Sequence, residues 1–136
     1  MAKKYILYSH YKETERKFIS SVVEEDEKDA RIEEHLKYGL VSVAIPTEEY
    51  FKECSDIRAK IEKVLSCVDS VENWDIEGNI LNVEVSWGDW KHDHLFLDFL
   101  MNRLFNFSVI STDVTEEDGG DCYSAIHYYK VEEVVA

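Results

Sequence analysis

Between Ile80 and Trp87 the chain alternates without a break. Leu81, Val83, Val85 and Trp87 are apolar, and Asn82, Glu84 and Ser86 are polar. A side-chain period of two fits a pleated strand and no helix, and it demands a sheet with one face in a core and the other in water. Such a strand needs a neighbour, and the chain supplies one just upstream. Asn73–Ile76, the turn Glu77-Gly78-Asn79 and Ile80–Trp87 read as a hairpin, with Gly78 taking the positive φ of a tight turn. A second hairpin is expected further on: Phe107–Val114, an acidic turn Thr115–Asp121, and a returning strand Cys122–Val131. On that last strand Tyr123, Ala125, His127 and Tyr129 share one face, and Ser124, Ile126, Tyr128 and Lys130 the other.

Between the hairpins, Gly88-Asp89 turns the chain into a helix that Asp89 would cap. Trp90, Leu97, Met101, Leu104 and Phe105 form its apolar stripe, and Phe96, Phe99 and Leu100 widen it, so a central position is expected. In the amino half Tyr5–Tyr8 is a strand candidate. Phe18, Ile19, Val22 and Val23 recur at helical spacing, yet Lys17–Val23 also reads as a strand paired with the first one. Asp26 or Asp29 would cap a helix through Ile32 and Leu36 that Gly39 stops. Val41–Ile45 is β-rich and ends at Pro46. Thr47, with Glu48 and Glu49 behind it, opens a helix expected to continue through Phe51, Cys54, Ile57, Ile61, Val64, Leu65 and Val68. The whole reads as a single α+β domain over residues 1–136, an antiparallel sheet with helices packed on one face.

The charge is unevenly placed. The net charge is −14, but residues 1–68 hold 14 acids and 12 bases, whereas residues 69–129 hold 13 acids and only Lys91 and Arg103 as bases. Phosphate backbones need a basic surface, so direct nucleic-acid binding is excluded as an expectation, and an anionic membrane surface with it. A basic protein partner would be attracted and steered, although an acidic surface also serves solubility alone. Cys54, Cys67 and Cys122 are widely spaced with no Cys-x-x-Cys, which reads as reduced thiols in a cytoplasm. Ser9, His10 and Lys12 interrupt the apolar start too early for a secretory leader, and no apolar run approaches a membrane span.

The residues that could carry chemistry are few. His94 and Asp98 lie four apart and share a helix face, and His127 could join them if its strand packs beside that face. His92 points elsewhere, because two residues turn a helix by about 200°. A metal-dependent, hydrolase-like centre of His94, Asp98 and His127 is thus the alternative to a chain with no cofactor. The Asp113–Asp121 loop fails the calcium-loop pattern: with Gly119 or Gly120 sixth, Ala125 or Ile126 falls where the bidentate glutamate belongs. Cys122 and His127 fall on opposite strand faces, which disfavours a nucleophile pair. No phosphate-cradling glycine motif occurs.

Gly88-Asp89-Trp90-Lys91-His92-Asp93-His94 and the run Thr115–Tyr129 resemble segments of small uncharacterised proteins of bacterial phages and mobile elements. The resemblance implies a bacterial cytoplasm and a host-directed role. It brings no activity and no catalytic residues. The expected function is that of a small acidic binding protein, occupying a basic, nucleic-acid-binding site on a partner. Its contact residues would be Asp113, Glu116, Glu117, Asp118, Asp121, Tyr123 and Tyr129, since acids beside aromatics suit an Arg-rich surface. The pattern leaves the oligomeric state open.

Overall fold

The computed structural model describes residues 3–68, 71–87, 95–117 and 122–131. The α+β class holds, and the antiparallel strands form two sheets, each within its own compact unit, residues 1–69 and residues 70–136.

In the first unit the strand β1 (Lys4–Tyr11) lies between β2 (Phe18–Glu24) and β3 (Leu40–Pro46), antiparallel to both. The ambiguous stretch Lys17–Val23 is therefore strand. Pairing Tyr5 with Val23 and Ile6 with Val22 buries all four side chains, which a surface helix of that length could not do. A register shift between Leu7 and Tyr8 absorbs Ser20, whose hydroxyl turns to Ser9 at 2.7 Å and to the Leu7 carbonyl at 3.2 Å. Ser42 closes the same hydroxyl line at 2.7 Å from Ser9, so the fully buried Ser9 is satisfied.

Helix α1 (Lys28–Lys37) carries the chain from β2 to β3. It begins without a side-chain cap, so neither Asp26 nor Asp29 plays the expected part, and Gly39 at φ 79° ends it as expected. Its Ile32 packs on the face formed by Tyr5, Leu7 and Val23. The opposite face carries Tyr8, which meets Tyr50 edge-on at 6.3 Å. Tyr50 closes the short helix α2 (Thr47–Tyr50). Helices thus lie against both faces of this sheet, not one.

The long helix expected from Thr47 to Val68 is broken. After α2 the chain leaves helical geometry and restarts as α3 (Ile57–Leu65), where Asp56 accepts from the Ala59 amide at 2.8 Å. The apolar stripe hides this cap, because Ile57, Ile61, Val64 and Leu65 continue it in phase.

The second unit holds β4 (Val71–Glu77), β5 (Ile80–Trp87), the helix α4 (Leu95–Phe105), β6 (Ser108–Glu117) and β7 (Cys122–Lys130). The sheet order is β4-β5-β7-β6, antiparallel throughout. Gly78 takes φ 63° in the first hairpin turn. The alternation in β5 is honoured: Leu81, Val83 and Val85 are buried, and Glu84 is exposed. Leu97, Leu100, Met101 and Phe105 of α4 are buried with Ala125, Tyr129 and Phe107. Asn106 at φ 60° reverses the chain between α4 and β6. The cap Asp89 and the stripe residue Trp90 lie outside the described residues.

Leu81→Ala should lower stability by about 2–5 kcal/mol, because it empties a fully buried site in the central alternation. Val43→Ala, at a residue 60% exposed, should stay within about 0.5 kcal/mol. Urea midpoints of the two variants check the pair; equal losses would contradict the assigned faces.

Candidate functional site

Each face of the four-stranded sheet offers one arrangement worth testing for chemistry. On the dry face, β7 presents His127 and Tyr129, two residues apart and therefore on the same side. Both are fully buried, and their rings stack at 6.0 Å with planes 7° apart. Asp98, in the first turn of α4, reaches down to them. One of its oxygens, Oδ1, lies 3.2 Å from His127 Nδ1 and accepts the Tyr129 hydroxyl at 2.5 Å. The carboxylate side chain retains 20% exposure. Its place near the helix amino end adds a favourable dipole.

Two donors on one carboxylate oxygen pin the helix to the sheet. Burial raises the Tyr129 pKa well above that of a free phenol, with the hydrogen bond to Asp98 and the nearby negative charge adding to it. The phenol therefore stays protonated and stays a donor. Of the proposed metal set, Asp98 and His127 do come together, and His94 lies outside the described residues. The four-residue spacing pointed to His94 and Asp98, and His127 joins Asp98 because its strand packs beside that helix, the condition set for it. Tyr129 as a third member was not foreseen, although its place two residues after His127 was the available signal.

The wet face has another character. The register sets Asn73, Glu84, Ile126 and Asp113 side by side across all four strands, and Asp75, Asn82, Tyr128 and Ser111 in the next row. Asp75, Glu77, Glu84 and Asp113 are exposed, and Lys130 is the cation among them. Ile80 and Ile126 are 39% and 36% exposed on this face. The result is an open sheet surface where carboxylates flank isolated apolar side chains.

The expected contact residues distribute unevenly. Asp113 lies exposed on this wet face. Tyr129 does not belong to any surface: it is fully buried on the dry face and committed to Asp98. Glu116 and Glu117, expected in a turn, extend β6 and pair with Tyr123 and Cys122 of β7. Strand pairing outlasts the apolar pattern there, because the ladder needs backbone groups and no particular side chain. Asp118 and Asp121 lie outside the described residues, and so does the side chain of Tyr123.

Two other features emerge in the first unit. Glu24, Asp26 and Glu27 set one carboxylate oxygen each within 4.8 Å, in the solvated turn before α1, an arrangement common on surfaces without an ion. A cavity of about 480 Å³ opens beside Tyr8, Ile45, Tyr50, Lys63 and Cys67. Its walls come from strands and helices far apart in the chain, and no local period links them.

Comparison of the chain with models of known protein families, with curated proteins and with solved structures finds no match. Among the described residues no helix is long and apolar enough to cross a membrane.

Tyr129→Phe should cost about 1.5–3 kcal/mol, the range for a hydrogen bond to a charged group, as read from urea midpoints. The pH dependence has a definite sign. Tyr129 is held protonated in the fold, whereas an unfolded tyrosine ionises near pH 10. Its contribution is complete below that pH and is lost as pH rises above it. Wild type should therefore lose more stability than Tyr129→Phe between pH 9 and pH 11 (about one unit either side of the free phenol value). Parallel pH profiles would overturn this.

Proposed function

We propose that the chain is a non-enzymatic acidic binding protein whose partner is a basic protein. The observation that carries the reading is the wet face of the β4-β5-β7-β6 sheet, where Asp75, Glu77, Glu84 and Asp113 surround Ile80, Ile126 and the half-buried Tyr128. A surface that mixes like charges with exposed apolar groups suits a partner presenting Arg or Lys beside apolar side chains. Arginine fits best, since its planar group both pairs with carboxylates and stacks on an aromatic ring. The partner class is a protein whose own basic surface meets nucleic acid, and the phage and mobile-element resemblance of residues 88–94 and 115–129 points the same way.

The enzyme reading on His94, Asp98 and His127 receives less support. His127 is fully buried, and one Asp98 oxygen already accepts from Tyr129, so a substrate would have to displace a core network. On this reading no metal and no cofactor is needed. Elemental analysis after mild dialysis should give no stoichiometric zinc, iron or manganese; such a metal would restore the enzyme reading.

The binding test compares two variants of equal net charge. One neutralises the sheet face (Asp75→Asn, Glu77→Gln, Glu84→Gln, Asp113→Asn). The other neutralises four exposed acids of the first unit (Asp26→Asn, Glu27→Gln, Glu33→Gln, Glu34→Gln). Association with a labelled Arg-rich peptide is followed by fluorescence anisotropy at low and high salt. The sheet-face variant should lose affinity by about tenfold or more with a flatter salt dependence, and the control should change by less than about threefold, because placement and not total charge decides specific pairing. Equal losses in both would reduce the acidic face to a solubilising role and end the proposal.

A further inference from the structure

The cavity of the first unit goes beyond this reading. The geometry points to a second binding site, for a small organic monoanion with a flat apolar body, of the aryl carboxylate class. The cavity volume of about 480 Å³ is that of a small-molecule site. Tyr8 from β1 and Tyr50 from α2 form two walls at right angles, and Ile45 from β3 adds an aliphatic surface. Such walls suit a planar ring, which meets one tyrosine face-on and the other by its edge.

The polar groups of the cavity are mostly donors. The Tyr50 hydroxyl is 3.6 Å from Cys67 Sγ, and the Tyr8 hydroxyl 4.0 Å from it. The thiol is a weak donor to the Tyr8 oxygen and a weak partner for the Tyr50 hydroxyl, so both phenols are poorly engaged and their O–H groups would gain from an anionic oxygen. Burial raises the pKa of each, foremost among the causes, so both remain donors at neutral pH. The Lys63 ammonium stands 4.4 Å from the Tyr50 ring centre and donates to the Tyr50 carbonyl at 2.5 Å. That bond uses one of its three N–H groups. Lys52 also lines the cavity, and Glu49 is its one carboxylate. Two ammonium groups against one carboxylate leave a local excess of one positive charge, in a chain of net charge −14. A cation would be repelled by both lysines. A neutral ring would leave the donors unmatched, and a dianion would exceed the charge available.

The probe is benzoate, with benzyl alcohol as the same ring without the charge, titrated into the full chain and followed by amide NMR shifts. Benzoate should give saturating shifts at Ile45, Tyr50 and Cys67 with a Kd of about 1 mM or tighter. Benzyl alcohol should bind about tenfold more weakly or worse, and Lys63→Gln should weaken benzoate by a similar factor, which is the loss of one charge-assisted contact. Lys63 also supports the Tyr50 carbonyl. If Lys63→Gln loses the dispersed spectrum of a folded chain, Lys52→Gln, at an exposed residue, decides in its place. Non-saturating shifts, equal affinity for the two probes, or full benzoate affinity in the folded lysine variant would each overturn the site.

Discussion

The dry face of the four-stranded sheet governs the carboxyl half of this protein. Leu81, Val83 and Val85 are out of water, and the residues paired with them on β7 follow them inward. That constraint draws His127 and Tyr129 into the interior with Ala125. Polar atoms carried inside by strand geometry need partners, and through Asp98 the helix supplies one to His127 Nδ1 and one to the Tyr129 hydroxyl. The order of dependence is therefore clear. Alternation buries the two rings, the rings require a carboxylate, and the carboxylate fixes how α4 sits on β7.

The same constraint produces the wet face. Residues at the intervening positions cannot enter the core, so Glu84, Asp113 and Asp75 stand in water, while Ile80 and Ile126 are exposed with them. Pairing across antiparallel strands then sets acids beside apolar groups, with Ile126 opposite both Glu84 and Asp113. The acidic wet face and the buried Asp98–His127–Tyr129 network are two sides of one ladder. A substitution that shifted the register by one residue would destroy both, because it exchanges the faces.

The amino half solves its burial problem differently. Its sheet has only three strands, and both faces meet helix: Ile32 of α1 packs against Tyr5, Leu7 and Val23, and Tyr50 of α2 stands against Tyr8. What this half offers is the gap beside the short helix α2, where the break after Tyr50 leaves Tyr8, Tyr50 and Cys67 around a cavity and Lys63 at its side.

Much of the fold was legible in the residues themselves. The alternation of β5, the glycine turn at Gly78, the stop at Gly39 and the face assignment of β7 are local facts, fixed by backbone sterics and side-chain period. The charge asymmetry is likewise a property of the sequence alone. Tertiary structure decided what local patterns left degenerate. Phe18–Glu24 became strand because β1 offered pairing and burial, against its helical spacing. The helix from Thr47 divided at Asp56, where a cap outweighed an apolar stripe that ran on in phase. Tyr129 changed from a surface candidate to a core donor because Asp98 arrives from a different element. For the strand and for Tyr129 the deciding energy comes from groups distant in the chain, which no window of adjacent residues contains, whereas the Asp56 cap is a local contact with Ala59.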